Sequence, residues 1–270
     1  HLPGVELNIS SNGKALEILE ILTSITKRRN IQAIDLRGAI EADPIGRLVA
    51  NGTLCIPLDE GFNYLAELTK AALIFPDLKT IHLNAAYLGN SGADSVQELT
   101  YALAAGSEYL TQLTSRGIPA PAAASKIRFS FGTGPDYFLE IARLRAARLL
   151  WSLIVKGFVP KGYEEIKMEI HCVTNRWNKT VYDPYVNMLR TQTEAMSAIL
   201  GGADSVTVEP YDIAFRKPDE FSERIARNQQ LILKEEAYFD KVADPAAGSY
   251  YIEKLTSLIA GNTWKSFVRI

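Results

Sequence analysis

The sequence predicts an α/β fold, a (β/α)8 TIM barrel that lacks its first strand in this chain. Short apolar segments with the two-residue period of strands alternate with longer segments that have the helical period. Strand–helix units recur about seven times, and successive units of this kind require parallel strands with crossover helices. Their spacing over 270 residues favours a barrel. An open, doubly wound sheet is the alternative.

The first half of the chain contains three of the predicted strands. Ile18, Leu22 and Ile25 share one stripe of a helix, because their spacing follows the helical period. Pro76 ends a later helix, since proline cannot donate the backbone hydrogen bond that a helix interior needs. In chain order, the predicted elements are strand Val5–Ser10, helix Lys14–Arg28, strand Ala33–Leu36, helix Phe62–Phe75, strand Thr80–Ala85 and a long helix with Val96 to Leu113 in register.

The second half repeats the same alternation. Pro184 and Pro218 stand at predicted helix starts, where a missing N–H is harmless. The stretch Ile118–Ser125 is interpreted as a loop, and we expect one barrel domain over residues 1–270, with the first strand before His1. The predicted elements are strand Ile127–Phe131, helix Tyr137–Lys156, strand Met168–Val173, helix Pro184–Leu200, strand Ser205–Val208, helix Asp219–Glu236, a short strand near Lys241–Ala243 and a helix from Tyr250 to Trp264.

Polar residues occupy one face of several predicted strands. Thr80, His82 and Asn84 alternate with apolar residues, and Glu169 and His171 do the same further along. If the apolar faces pack against helices, the polar faces point into the barrel. This pattern predicts a polar channel, with a network of polar side chains that pair with one another as the alternative.

Composition excludes several classes of function. The net charge of −2 gives no electrostatic reason to expect a nucleic acid or an anionic membrane as partner. No apolar run approaches the roughly 20 residues that span a bilayer. Cys55 and Cys172 form no CxxC pair, so neither a zinc site nor a redox motif is predicted, and both are expected to be buried thiols.

Two further motifs favour structural roles. Gly132 and Gly134 form a GxG after a strand, but a lone GxG is a weak indication of phosphate binding. Arg143, Arg145 and Arg148 on one helix are expected to form a solvated face or ion pairs at an interface rather than a phosphate site.

A series of motifs in fixed order resembles the methylmalonyl-CoA mutase family. These motifs are Glu140–Trp151 (EIARLRAARLLW), His171–Thr174 (HCVT), Asp183–Thr191 (DPYVNMLRT), Gly201–Ser205 (GGADS), Arg224–Asn228 (RIARN) and Asp244–Tyr251 (DPAAGSYY). The resemblance implies a (β/α)8 barrel whose axial tunnel holds an acyl-CoA chain. It also implies adenosylcobalamin at one end of the barrel, where a radical formed from the cofactor rearranges methylmalonyl-CoA to succinyl-CoA.

This chain departs from the catalytic form of that family at four places. Ala86-Tyr87 stands where catalytic chains have a Tyr-His pair, and Glu41 stands in place of a glutamine. Asn51 stands in place of an arginine and Val173 in place of a second glutamine. Each change removes a hydrogen-bond donor or a cation, or adds a negative charge, where substrate would bind. The resemblance therefore implies a non-catalytic chain, for which we predict no catalytic residue.

The remaining polar positions are candidates for a vestigial substrate tunnel. His171 and Thr174 match the family motif. The full set of candidate substrate-binding residues is His171, Thr174, His82, Asn84, Tyr87 and Glu41.

Cofactor and partners follow from the same resemblance. No histidine lies in the Asp-x-His-x-x-Gly run that supplies an axial imidazole to cobalt, so we expect no cobalamin-binding domain in this chain and no cofactor-binding or metal-binding residue. The resemblance implies the small subunit of a heterodimeric bacterial mutase in the cytoplasm, with adenosylcobalamin held by the catalytic large subunit. A fragment of an active mutase, or a barrel that binds acyl-CoA without turnover, is the alternative.

Overall fold

The computed structural model describes residues 5–159 and 166–270. The strands are β1 (Glu6–Ser10), β2 (Arg37–Glu41), β3 (Leu78–Lys79), β4 (Ile81–Asn84), β5 (Ile127–Thr133), β6 (Glu169–Thr174) and β7 (Ser205–Thr207). The helices are α1 (Ala15–Arg29), α2 (Pro44–Asn51), α3 (Leu58–Ala71), α4 (Ala86–Asn90), α5 (Ser95–Ser115), α6 (Ala120–Ser125), α7 (Tyr137–Phe158), α8 (Asn187–Leu200), α9 (Glu220–Glu235) and α10 (Tyr250–Phe267).

The strands form two sheets, with the orders β1–β2–β3 and β4–β5–β6–β7. β2 is parallel to both β1 and β3, and β6 is parallel to β7. Helices connect the strands along the chain, as crossover connections between parallel strands require. The prediction of an α/β fold with parallel sheets is confirmed.

The chain divides into two units, each with its own core. The first unit consists of His1–Asn84, Ala104–Phe129 and Trp151–Met168. Its aromatic core includes Phe129 and Trp151, whose ring centroids lie 4.7 Å apart. A Cβ atom at Gly106 would lie 2.8 Å from the ring of Phe129, so only glycine lets α5 approach these rings so closely.

The second unit consists of Ala85–Leu103, Ser130–Leu150 and Glu169–Ile270. One of its apolar clusters joins Ala195 of α8, Ala226 and Leu233 of α9, and Val208 just after β7. The cluster holds the two helices against the chain that follows the last strand.

One predicted strand is displaced. The predicted strand Ala33–Leu36 is wrong, because Ala33–Asp35 forms a 3-10 turn and β2 begins at Arg37. Gly38 within β2 has φ +121°, and a Cβ atom there would lie 2.1 Å from the carbonyl oxygen of Leu7 on β1. Glycine, which tolerates this backbone conformation, therefore lets β2 lie beside β1.

Other differences concern short elements. The predicted loop Ile118–Ser125 contains α6, and α2 and α4 have no counterpart in the sequence prediction. Lys241–Ala243 lies in bends rather than in a strand. The predicted cysteine burial is wrong at Cys55, which is exposed, and correct at Cys172.

Candidate functional site

Three of the predicted substrate-binding residues lie in the first unit. Glu41 is the last residue of β2, and His82 and Asn84 lie on β4. All three are partly exposed, whereas Ile81 and Leu83 are buried. The alternation predicted for this strand is present, so one face of β4 carries polar side chains.

The His82 imidazole is held in its neutral form. Burial, and then the positive charge of Arg128, lower its pKa to about 4. A neutral imidazole with this pKa does not become charged near pH 7. His82 is therefore suited to a polar interior but not to acid catalysis at neutral pH.

Arg128 joins strands of the two different sheets. Its side chain is 3% exposed and extends from β5 towards β1. One guanidinium nitrogen donates to Asn8 Oδ1 at 2.5 Å, and another lies 3.3 Å from Glu6 Oε2. Polar side chains of β1 and β5 therefore meet, although these strands are not neighbours in a sheet.

Asp43 is a buried carboxylate just after β2. Its Oδ1 accepts the backbone N–H of Gly46 at 2.8 Å and thereby caps α2, and it also accepts the Tyr109 hydroxyl. Its Oδ2 accepts the N–H of Asn84 at 3.1 Å. Burial raises the pKa of Asp43, while the hydrogen bond from Tyr109 opposes that rise. This carboxylate links the ends of β2 and β4.

His171 lies on β6 in the second unit, between two hydroxyl groups of β7. Its Nδ1 is 2.8 Å from Ser205 Oγ, and its Nε2 is 3.1 Å from Thr207 Oγ1. The strand register pairs His171 with Ser205 and Val173 with Thr207, so all four share one face. Both ring nitrogens of His171 therefore have partners within the protein.

Thr174 lies on the opposite face of β6 from His171. It is 1% exposed, and its hydroxyl accepts the N–H of Glu209 at 2.9 Å. Val173, partly exposed, lies on the same face as His171. The structure therefore does not bring His171 and Thr174 together, and Thr174 holds the chain that follows β7.

Tyr87 lies on the short helix α4, where it is partly exposed. Asn90 at the end of α4 accepts the N–H of Arg176 at 2.8 Å and that of Trp177 at 3.3 Å. Arg176 also pairs with Glu209 at 2.6 Å. These bonds fix the loop after β6 against α4 and against the residues that follow β7.

The GxG motif has a structural explanation. The N–H of Gly132 donates to Glu98 Oε1 at 3.1 Å, and that of Gly134 donates to Glu140 Oε1 at 3.0 Å. Both carboxylates pair with the buried Arg143, each at 2.5 Å. Carboxylates therefore occupy the donors that would cradle a phosphate, which excludes the phosphate interpretation.

The predicted arginine cluster is paired throughout. Arg145 pairs with Asp244 and Glu253, and Arg148 pairs with Asp204 at 2.8 Å. Arg143, in contrast, is 1% exposed, so of the two predicted alternatives it forms ion pairs and is not part of a solvated face. Its partners are Glu98 of α5 and Glu140 of α7, the two buried glutamates that accept hydrogen bonds from the GxG glycines.

The two histidines that the structure describes are not suited to bind cobalt. The His82 imidazole is buried beside Arg128, and both nitrogens of His171 are engaged with β7. Over residues 5–159 and 166–270, no group of three or more His, Cys, Asp or Glu side chains could hold a metal ion. In the same ranges no helix is long and apolar enough to cross a membrane.

The geometry defines an α/β protein with parallel strands, in which one face of β4 and one face of β6 carry polar side chains. A family model described as "Methylmalonyl-CoA mutase" matches residues 1–270. The chain therefore belongs to the methylmalonyl-CoA mutase family.

Three relatives illustrate the similarity. The methylmalonyl-CoA mutase small subunit of Porphyromonas gingivalis is 43% identical over 100% of this chain and 43% of its own length. The methylmalonyl-CoA mutase of Cereibacter sphaeroides is 36% identical over 97% of this chain and 37% of its own length. The human mitochondrial methylmalonyl-CoA mutase is 33% identical over 95% of this chain and 34% of its own length. The chain thus spans less than half the length of these relatives.

Sequence reasoning missed several residues that organise these regions. Arg128 follows a strand-like isoleucine and has no motif around it, and Ser205 and Thr207 become visible only once β7 is aligned with β6. Asp43 could have been found, because an Asp before Pro44 is typical of a helix N-terminus.

Proposed function

We propose that this chain is the barrel region of the small subunit of an adenosylcobalamin-dependent methylmalonyl-CoA mutase. The complex isomerises methylmalonyl-CoA to succinyl-CoA, and this chain acts as a structural partner of the catalytic large subunit. Family membership and the 43% identity to a protein named as a small subunit support this proposal.

The proposal includes a closed (β/α)8 barrel that forms one domain over residues 1–270. The alternation of strands and helices and the parallel pairing of β1–β2–β3 support it. Within the first unit, the hydrogen bond from Arg128 on β5 to Asn8 on β1 supports closure, because it joins strands that belong to different sheets. Residues 1–4 and 160–165 lie outside the described residues.

The observation that carries the non-catalytic role is the position of Arg128. In a barrel, its guanidinium and the side chains of Glu6 and Asn8 cross the interior that an acyl-CoA chain would enter. These groups already bond to one another, so substrate would have to separate a buried cation from its partners. Such a separation is costly, since it leaves a buried charge without compensation.

Altered residues along the proposed tunnel point the same way. Val173 has no polar group to bind a thioester oxygen, although it lies on the same face as His171. The Glu41 carboxylate would repel a dicarboxylic acyl group by about 1 kcal/mol at 4 Å in water, and by more in a drier site. Transition-state stabilisation by positioned donors is therefore lost at several positions.

The partly exposed polar residues form the remnant of a tunnel in this proposal. His171 is its best-preserved member, but Ser205 and Thr207 compete with any ligand for its two ring nitrogens. The proposed members of the remnant are His171, His82, Asn84, Tyr87 and Glu41, whereas Thr174, which is buried on the opposite face of β6 from His171, is left out.

Cofactor and partner complete the proposal. Adenosylcobalamin supplies the radical chemistry when bound, and we assign it to the large subunit because neither described imidazole of this chain fits as a cobalt ligand. The heterodimer is placed in the bacterial cytoplasm, in keeping with the bacterial source of the relative named as a small subunit.

Turnover measurements test this function. The full-length protein that contains this chain, its large subunit, and the two combined are each given adenosylcobalamin and methylmalonyl-CoA, and succinyl-CoA is measured by chromatography. We expect turnover with the complex and none with the protein of this chain alone. Turnover by that protein alone, at a rate comparable to the complex, would instead identify it as an active mutase.

Calorimetry with methylmalonyl-CoA tests the remaining alternative, which is a barrel that binds acyl-CoA without turnover. A closed interior predicts no heat of binding to the protein of this chain, with the large subunit as positive control. Binding in the micromolar range without turnover would make the barrel an acyl-CoA binding module and would contradict the proposed role of Arg128.

A further inference from the structure

The sequence contains two asparagine–glycine pairs, and both lie in the first unit. Asn12–Gly13 lies in the turn between β1 and α1, and Asn51–Gly52 stands at the end of α2. In such a pair the glycine nitrogen can attack Cγ of the asparagine side chain, because glycine has no Cβ to hinder the approach or to restrict the backbone. Both pairs are exposed, so water can reach them.

The turn at Asn12 holds the attacking nitrogen weakly. Asn12 and Gly13 both have positive φ, +47° and +90°, and the N–H of Lys14 donates to the Ser11 carbonyl at 2.9 Å. Residues 12 and 13 are therefore the central pair of a four-residue turn. The N–H of Gly13 donates to Ser11 Oγ at 3.4 Å, which is longer than the usual range for an N–H···O bond. Little has to be broken before this nitrogen can attack the side chain.

The pair at Asn51 is held by helix α2. Asn51 is the last residue of that helix, and the N–H of Gly52 donates to the Leu48 carbonyl at 2.8 Å. Ring closure requires Asn51 to leave its helical conformation, and the hydrogen bond of Gly52 is then lost. The loss of one backbone hydrogen bond reduces the reactive fraction by about fivefold. The fold therefore protects Asn51 and leaves Asn12 reactive.

A cation lies beside the Asn12 turn. A Cβ atom at Gly13 would lie 3.4 Å from Nη1 of Arg47, whose side chain extends from α2. The Gly13 nitrogen must lose its proton as it attacks, and a nearby positive charge favours the deprotonated form. Arg47 is therefore placed to assist the reaction at Asn12.

We propose that Asn12–Gly13 is a site of spontaneous deamidation. The Gly13 nitrogen bonds to Cγ of Asn12, Nδ2 leaves as ammonia with the proton of the Gly13 N–H, and a succinimide ring closes. Water then opens the ring at one of its two carbonyl carbons. Opening at Cγ gives aspartate, whereas opening at the backbone carbonyl carbon gives isoaspartate, in which the chain runs through Cβ. The net reaction consumes one water and releases one ammonia, without an oxidant or a reductant.

Peptide mapping tests the proposal. The full-length protein that contains this chain is incubated at pH 8, both folded and in urea, and mass spectrometry of its digest follows the conversion of each asparagine to an acid. Chromatography separates isoaspartate from aspartate. In urea the two pairs should react at similar rates, because both have glycine as the next residue. In the folded protein we expect Asn12 to react at least about fivefold faster than Asn51 and to give both products.

Two variants test the contribution of the cation. Arg47→Met should slow the reaction at Asn12 by about twofold to fivefold in the folded protein, which is the effect of one charge a few ångströms away in water. Arg29→Met is the matched control, because Arg29 is exposed at the other end of α1, and it should leave the rate unchanged. Equal rates in Arg47→Met and wild type would remove Arg47 from the proposal.

Other outcomes decide the site itself. A folded protein in which Asn12 reacts no faster than Asn51, or does not react, overturns the proposal. Aspartate as the single product also overturns it, since direct hydrolysis of the side chain passes through no ring and forms no isoaspartate. A preference for Asn12 that is equally large in urea would mean that local sequence, and not the fold, selects the site.

Discussion

Substituting Arg143 tests how the second unit is held together. Arg143→Met removes the cation between Glu98 and Glu140, whose side chains are 3% and 7% exposed. Removing one partner of a buried ion pair costs about 3–5 kcal/mol. The hydrogen bond from Arg143 to the Gly132 carbonyl is also lost, which adds about 1 kcal/mol. We expect the free energy of unfolding to fall by about 4 kcal/mol or more at pH 8.

The same substitution should depend on pH in a defined direction. Burial already raises the pKa of Glu98, and Arg143 opposes that rise. Without Arg143 the pKa of Glu98 rises further. A protein that contains a carboxyl group with a raised pKa in the folded state becomes less stable as the pH increases through that pKa. The loss caused by Arg143→Met should therefore be smaller at pH 5 than at pH 8, because a larger fraction of Glu98 is protonated at the lower pH.

Denaturant unfolding followed by circular dichroism measures these effects. Arg148→Met on the same helix is the control, since its partly exposed pair with Asp204 should contribute about 1 kcal/mol or less. Adding Glu98→Gln to Arg143→Met removes one uncompensated charge and should recover about 1–2 kcal/mol. The reasoning is refuted if Arg143→Met costs no more than Arg148→Met, or if its cost is greater at pH 5.

Three further substitutions concern other buried contacts, and each is measured by denaturant unfolding. Gly132→Ala should cost about 1–3 kcal/mol, because its Cβ would lie 2.0 Å from Asn175 Oδ1, and an unchanged midpoint would contradict this contact. Asp43→Ala should cost about 2–4 kcal/mol, since it removes the α2 cap and leaves the Tyr109 hydroxyl without its acceptor; a cost below 1 kcal/mol would mean that water replaces the carboxylate. Burial lowers the pKa of Lys126 to about 8 in the folded protein. The unfolded chain therefore binds more protons between pH 8 and pH 10, and the free energy of unfolding should rise with pH in that range. Lys126→Met should reduce this slope, and equal slopes for the variant and wild type would contradict the prediction.

The sequence was most informative where periodicity was long and uninterrupted. The helix predicted over Tyr137–Lys156 corresponds to Tyr137–Phe158, and the strand over Met168–Val173 corresponds to Glu169–Thr174. It failed at Ala33–Leu36, where an apolar stretch too short to distinguish a strand from a turn precedes the real strand. It also missed α6, because the prolines that stand at the start of that helix were taken for loop residues.

The candidate site was only partly accessible from the sequence. Alternation correctly placed polar residues on one face of β4 and of β6, since the side-chain period of a strand is local. Which strands face one another is not local, so the bond between Arg128 and Asn8, which are 120 residues apart, could not be foreseen. The grouping of His171 with Thr174 came from a motif, whereas the strand period places them on opposite faces.

The hydrogen bonds of the His171 ring to two hydroxyl groups of β7 depend on the register between β6 and β7. A slip of β7 by a single residue would turn Ser205 and Thr207 away and bring Val206 opposite the ring. The histidine thus favours one register between the last two strands over the registers one residue away. Its ring nitrogen resonances should then report on strand alignment rather than on substrate.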